Sequence, residues 1–125
     1  MSLKLLIADD EVHNRLLIER TLEDLEDEGV VFLYACHGGA ALEKIKAERP
    51  KLVFLDVMMP IMNGMDVCDQ VKNKLALSDI YIILLADQGE EVDEKRGREV
   101  GADLYLTKPI DTDKLLEKAR KILGI

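Results

Sequence analysis

Short unbroken apolar runs alternate along this chain with longer stretches in which apolar residues recur at helical spacing. Leu3-Lys4-Leu5-Leu6-Ile7-Ala8 has strand length and terminates in three consecutive acids, Asp9-Asp10-Glu11. From Val12 the period changes: Ile18, Leu22 and Leu25 fall at i, i+4 and i+7 with charged residues between them, which predicts an amphipathic helix stopping at Gly29. Val30 to Ala35 is a second predicted strand. His37-Gly38-Gly39 reads as a breaker, and Ala40 to Glu48 as a helix that must end before Pro50, because proline disfavours helix in the residue preceding it. Leu52-Val53-Phe54-Leu55 reads as a strand buried on both faces, closed by Asp56. A third helix from about Met65 places Cys68, Val71 and Leu75 on one stripe, and Ser78-Asp79 separates it from the most apolar strand, Ile80 to Ala86. Asp87 to Glu99 is charge-rich with weak apolar punctuation from Val92, and Gly97 is a poor helix former, so this is expected to be the loosest part of the chain. Gly101-Ala102-Asp103 turns into the short strand Leu104-Tyr105-Leu106, which ends at Thr107-Lys108-Pro109. Asp111 is placed to cap a last helix whose Leu115, Leu116, Ala119, Ile122 and Leu123 form one stripe.

Five strands alternating with five helices force parallel pairing through right-handed crossovers. The predicted architecture is a doubly wound α/β three-layer sandwich, flavodoxin-like, with a five-stranded parallel sheet in the order 2-1-3-4-5. At 125 residues it is expected to be a single domain over 1–125 that buries roughly two thirds of its unfolded surface. Apolar residues at 48% and charged residues at 34% give the balance of a soluble globular protein and argue against disorder. No apolar run approaches the ~20 residues that span a bilayer, and no basic segment precedes an apolar signal core, so a cytoplasmic protein without a membrane role is expected. The net charge of −8 opposes nucleic acid binding by this domain, since phosphate backbones demand clustered Lys and Arg. Cys36 and Cys68 match no metal-ligand spacing and are expected to be reduced structural thiols; His13 and His37 lack companions and take surface or loop roles.

On this fold the polar strand ends converge. In open parallel sheets ligands bind outside the carboxyl ends of the strands, and strands 1 and 3 flank the switch point. Asp9 and Asp10 leave strand 1, Asp56 leaves strand 3 and Lys108 leaves strand 5, so three carboxylates and one ammonium share a crevice. Two like charges ~4 Å apart repel by about 4 kcal/mol at an effective dielectric near 20. The cluster therefore holds protons, borrows Lys108 or binds a cation. Oxygen-only ligands select a hard ion, and a loose set of carboxylates completed by water suits Mg²⁺ better than a dedicated calcium cage. A phosphoryl group arriving there would find its charge neutralised from two sides, with Asp56 as the oxygen nucleophile.

Four pieces now stand in order and at matching spacings across nearly the whole chain: Asp9-Asp10-Glu11, the run from Leu55-Asp56 through Met58-Met59-Pro60 to Asn63-Gly64, the turn Gly101-Ala102-Asp103, and Tyr105-Leu106-Thr107-Lys108-Pro109. Together they resemble the CheY-like receiver domain of two-component response regulators. The resemblance implies that Asp56 is the phosphoacceptor, taking a phosphoryl group from the phosphohistidine of a sensor histidine kinase or phosphotransfer protein, or from a small acyl phosphate. It implies that Asp10, Asp56 and the backbone carbonyl of Met58 hold Mg²⁺ directly, that Asp9 acts through a bound water, that Lys108 pairs with the phosphoryl oxygens, and that the Lys108-Pro109 bond is cis. The output would be an altered surface read by an effector domain or a downstream protein, with pairing to a second copy left open.

One position departs from the pattern. Receivers carry Thr or Ser near the end of strand 4, just before a small residue, and that slot is read here as Leu85 followed by Ala86. Without a hydroxyl the link to the switch aromatic, Tyr105, is missing, and signalling to the face of helix 4, strand 5 and helix 5 would be weakened or rerouted. Asp87 stands where it could contact Lys108 or restrict access to Asp56. The leading expectation is thus a phosphoacceptor switch and not an enzyme; the alternative is a pseudo-receiver, a binding module independent of phosphorylation. An Mg²⁺-dependent phosphatase is disfavoured because Asp9 and Asp10 are adjacent rather than separated by one residue, and a flavin domain because acids after strand 1 would repel a cofactor phosphate.

Overall fold

In a computed structural model, which describes residues 3–87 and 94–125, five parallel strands lie in the order β2-β1-β3-β4-β5. They are β1 (Lys4–Ala8), β2 (Val31–Ala35), β3 (Leu52–Asp56), β4 (Tyr81–Ala86) and β5 (Leu104–Thr107). The helices among the described residues are α1 (Val12–Thr21), α2 (Glu23–Asp27), α3 (Gly38–Glu48), α4 (Gly64–Asp69), α5 (Glu94–Glu99) and α6 (Thr112–Leu123). This is the expected flavodoxin-like sandwich with one helix more than predicted. The first predicted helix breaks at Leu22, whose backbone leaves helical geometry at φ −105°, ψ 9°. The stripe survives the break, and Ile18, Leu22 and Leu25 are all buried.

The central strands are apolar on both faces because each face is covered by helices. On one side Leu6, Val53, Leu55, Ile82 and Leu84 pack with Ala41 and Ile45 of α3, and with Val67 and Cys68 of α4. On the other, Leu5, Ile7, Phe54, Ile83 and Leu85 pack with Ile18, Leu22 and Leu25, and with Leu115, Ala119 and Leu123 of α6. Cys68 lies in the first layer, where its thiol donates to the Val100 carbonyl at 3.4 Å and burial pushes its pKa up to about 12, in keeping with a structural role. Cys36 is a free thiol as expected but is exposed rather than packed in the core, because it follows the last residue of β2.

Local departures from the predicted elements have identifiable causes. Helix α3 starts at Gly38 rather than Ala40, since His37 Nδ1 accepts the Ala40 N–H at 3.1 Å and caps the helix that the Gly-Gly pair was expected to break. Beyond α4 the chain widens into a π-helical turn over Gln70–Lys74, in which the Leu75 N–H reaches the Gln70 carbonyl at 2.8 Å. That wider turn rotates Leu75 off the stripe, and it is exposed while Cys68 and Val71 stay buried. Asp111 caps α6 as expected, accepting from the Asp113 and Lys114 amides. The expectation of a loose segment after β4 falls partly on residues 88–93, which lie outside the described ones; Glu94–Glu99 is helical.

Two glycines let α3 and α4 close on the loop that follows Asp56. A Cβ on Gly38 would sit 1.9 Å from the Met62 carbonyl oxygen, and one on Gly64 would sit 2.3 Å from that of Asp56. Gly38→Ala is expected to destabilise the domain by about 2 kcal/mol, because the obstacle is backbone and the loop itself must shift. Equilibrium urea unfolding measures this.

Candidate functional site

Strand register brings the predicted site residues to one edge. β1 and β3 pair side by side with Ala8 opposite Leu55, so Asp9 and Asp56 emerge next to each other. Beyond β5, the Lys108 N–H donates to the Ala86 carbonyl at 2.7 Å, which continues the β4–β5 ladder and sets Lys108 beside the end of β4. The Lys108-Pro109 peptide bond is cis.

Lys108 Nζ lies 3.2 Å from Asp9 Oδ2, 3.5 Å from Asp56 Oδ1 and 3.6 Å from Asp87 Oδ1. Asp9 and Asp56 are buried, whereas Asp10 is exposed. Asp9 is firmly held: its Oδ1 accepts the Glu11 N–H at 2.9 Å, its N–H donates to the Ala35 carbonyl, and the Asp9 carbonyl accepts from Arg15 Nη1. Asp56 Oδ1 accepts a longer contact, 3.4 Å, from the Met58 N–H. One carboxylate oxygen from each of Asp9, Asp10 and Asp56 lies within 4.8 Å of the others.

The electrostatics follow from this crowding. Burial first, and then the charge of Asp9, push the Asp56 carboxyl up to about 7, against the opposing pull of Lys108 and the Met58 N–H. Burial disfavours the Lys108 ammonium, but the charges of Asp56, Asp9 and Asp87 outweigh it and raise its pKa above that of an ordinary lysine. A hard cation beside the three acids would relieve the same repulsion. The donor set fits one: it is all oxygen, compact, and open to water on the Asp10 side.

The slot read as Leu85 needs correction. Leu85 pairs with Asp56 in register, but its side chain is fully buried in the layer against α1 and α6. Tyr105 packs on the opposite face, directly across from Leu84 in the β4–β5 register, with its ring against Gly97 of α5. Side chains alternate along a strand, so the residue at the end of β4 that shares the Tyr105 face is Ala86. The position that lacks a hydroxyl is therefore Ala86, and a threonine at 85 would bury its hydroxyl in a dry apolar layer at a cost of about 2 kcal/mol. Tyr105 is half-buried, and Asp87 is in contact with Lys108, one of the two roles considered for it.

A cleft of about 420 Å³ opens beside Lys108, lined by Glu11, Asn14, Leu17, Asp87, Pro109 and Ile110. Its apolar wall was not foreseen, because Leu17 lies off the buried stripe of α1 and Ile110 in a connecting loop. Among the described residues no helix is long and apolar enough to cross a membrane.

Residues 5–120 match the response regulator receiver domain family. The chain is 35% identical over 123 residues to the alkaline phosphatase synthesis transcriptional regulatory protein PhoP of Bacillus subtilis, an alignment covering 98% of this chain and 49% of that protein. It is 36% identical over 114 residues to protein PilG of Pseudomonas aeruginosa, covering 91% and 82% of the two. It thus spans about half the length of PhoP and of other curated transcriptional regulators that it matches. Its backbone superposes on the REC domain of the response regulator AraT from Geobacillus stearothermophilus with a TM-score of 0.84 at 31% identity, over 99% of this chain and 95% of that one. The acid pair after β1, the buried Asp closing β3 and the Lys after β5 are thus found within a match that runs almost end to end, and the chain belongs to the family of response regulator receiver domains.

Proposed function

We propose that this domain is a phosphoacceptor switch, phosphorylated on Asp56 with the help of Mg²⁺. The observation that carries the reading is the meeting of Lys108 with the buried Asp56 and Asp9 carboxylates, with Asp10 in reach of both acids. An Asp56 carboxylate oxygen attacks the phosphorus of a phosphohistidine or acyl phosphate; the new O–P bond forms as the P–N or P–O bond breaks, and the leaving group departs with the electron pair. Lys108 neutralises charge on the transferring group, and its three carboxylate neighbours keep it protonated through neutral pH. Arg15 and the Glu11 N–H fix Asp9, so the acids are already in place before a donor arrives.

Asp10, Asp56 and the Met58 carbonyl would hold Mg²⁺, with Asp9 acting through water. When bound, the ion supplies positive charge to the transferring group and to the crowded acids. Asp10→Asn is expected to weaken Mg²⁺ binding by about tenfold or more, read by calorimetric titration, with little loss of stability because Asp10 is exposed.

The donor would reach Asp56 past the half-apolar cleft beside Lys108, a surface suited to a sensor histidine kinase or phosphotransfer protein. Because the group stays on the protein, the domain acts as a switch in the cytoplasm rather than as an enzyme turning over substrate. The output surface is that of α5, β5 and α6, read by an effector domain, a downstream protein or a second copy. Ala86 cannot draw the end of β4 towards a phosphoryl group by hydrogen bonding, so coupling to Tyr105 is weak; Ala86→Thr is expected to strengthen it, seen as larger Tyr105 chemical-shift changes on phosphorylation.

The test is intact-protein mass after incubation with Mg²⁺ and a small acyl phosphate. The expected result is one hydroxylamine-labile phosphoryl adduct that is lost when the metal is chelated. A protein that binds Mg²⁺ yet gains no adduct would overturn the reading in favour of a phosphorylation-independent binding module, to which the missing Ala86 hydroxyl also points.

A further inference from the structure

We infer that Asp87 is a tethered rival of the phosphoryl group for Lys108, an inference that rests on the phosphoacceptor reading. The β4–β5 ladder sets the two residues side by side: Lys108 N–H donates to the Ala86 carbonyl, and Asp87 is the next residue along β4's exit. Its Oδ1 lies 3.6 Å from Lys108 Nζ, nearly the distance of Asp56 itself at 3.5 Å. The three carboxylates around that ammonium differ in environment. Asp9 and Asp56 have almost no exposed side-chain surface, while the Asp87 side chain is 53% exposed and free to leave the pair without stranding a buried charge. Nor is Asp87 part of the set of acids close enough to share a cation, so its partner here is the lysine and not the metal.

A phosphoryl group on Asp56 brings new negative oxygens to Lys108, and these compete with Asp87 for the same ammonium. Asp87 must yield, by repulsion from the phosphoryl oxygens and by loss of its counter-charge. Since Ala86 offers the phosphoryl group no hydroxyl, Lys108 is a larger share of what holds it, and the rivalry weighs more. The end of β4 would thus respond to phosphorylation by the release of Asp87 instead of by attraction to a hydroxyl.

The test compares wild type with Asp87→Asn, which keeps the side-chain shape and removes the charge. Binding of beryllofluoride in the presence of Mg²⁺ is followed by ¹⁹F NMR at low and high ionic strength, with Mg²⁺ affinity measured separately. Asp87→Asn is expected to bind beryllofluoride about fivefold more tightly at low salt, the size of a half-exposed ion pair, with the gain shrinking as salt rises. Mg²⁺ affinity alone should change far less. Equal or weaker beryllofluoride binding by Asp87→Asn, with wild-type binding intact, overturns the role of Asp87 and leaves the phosphoacceptor reading standing. Failure of both proteins to bind beryllofluoride, although both bind Mg²⁺, overturns the phosphoacceptor reading and the rivalry with it.

Discussion

Asp56→Asn is expected to abolish the phosphoryl adduct and, in metal-free buffer at pH 8, to make the domain more stable than wild type by about 2 to 4 kcal/mol. The loss of the adduct follows from removal of the nucleophilic oxygen. The gain in stability follows from burial of the Asp56 carboxylate against that of Asp9, which raises its folded-state pKa to about 7. The unfolded value lies near 3.9, so between about pH 4 and 7 the folded state holds a proton that the unfolded state has released. Stability of the wild type therefore falls as pH rises through that window, and the deficit is complete above it. Asn carries no charge and escapes the penalty. The difference between the two proteins should be near zero below pH 4, grow through the window and level off above pH 7. Saturating Mg²⁺ should narrow it, since an ion that binds the folded acids stabilises wild type by mass action. Urea unfolding with and without chelator checks all of this; a wild type at least as stable as Asp56→Asn at pH 8 without metal would refute the electrostatic account.

What made this site legible in the sequence was the punctuation of strands by charge. Asp9, Asp10, Asp56 and Lys108 each follow an apolar run, and the βα alternation fixes the edge at which such residues gather. The element order was legible for the same reason. The facing of β4 was not: Ile82, Ile83, Leu84 and Leu85 are apolar throughout because both sheet faces are buried, so no polar residue marks which side each takes. Leu85 and Ala86 are for that reason indistinguishable as the switch slot until the strand's facing is known. The π-helical turn at Gln70–Lys74 inserts within a stripe that already looked helical, and His37 is not among the usual capping residues, so neither announced itself. Asp87, beside Lys108 across the β4–β5 ladder, was visible only as a charge at the right end of the right strand.

Lys108→Met is expected to slow phosphoryl uptake from a small acyl phosphate by about 10²- to 10³-fold while strengthening Mg²⁺ binding severalfold. The two effects have opposite signs because Lys108 plays two electrostatic parts. Towards the donor it is the protein's own positive charge at the transferring group, and with Ala86 in place of a hydroxyl nothing else described at the end of β4 substitutes for it. Towards the metal it is a competitor, since its ammonium already neutralises Asp9 and Asp56 at 3.2 and 3.5 Å. Removing it leaves those acids more repelled from each other and more receptive to a cation. A lysine that merely braced the fold would change stability and leave both readouts near wild type. A lysine that served only to steer donors would slow uptake without moving Mg²⁺ affinity. Stopped-flow or mass-resolved phosphorylation, set beside Mg²⁺ titration of the same variant, separates the three; an unchanged uptake rate, or a fall in Mg²⁺ affinity, would remove Lys108 from the place given to it at the centre of the site.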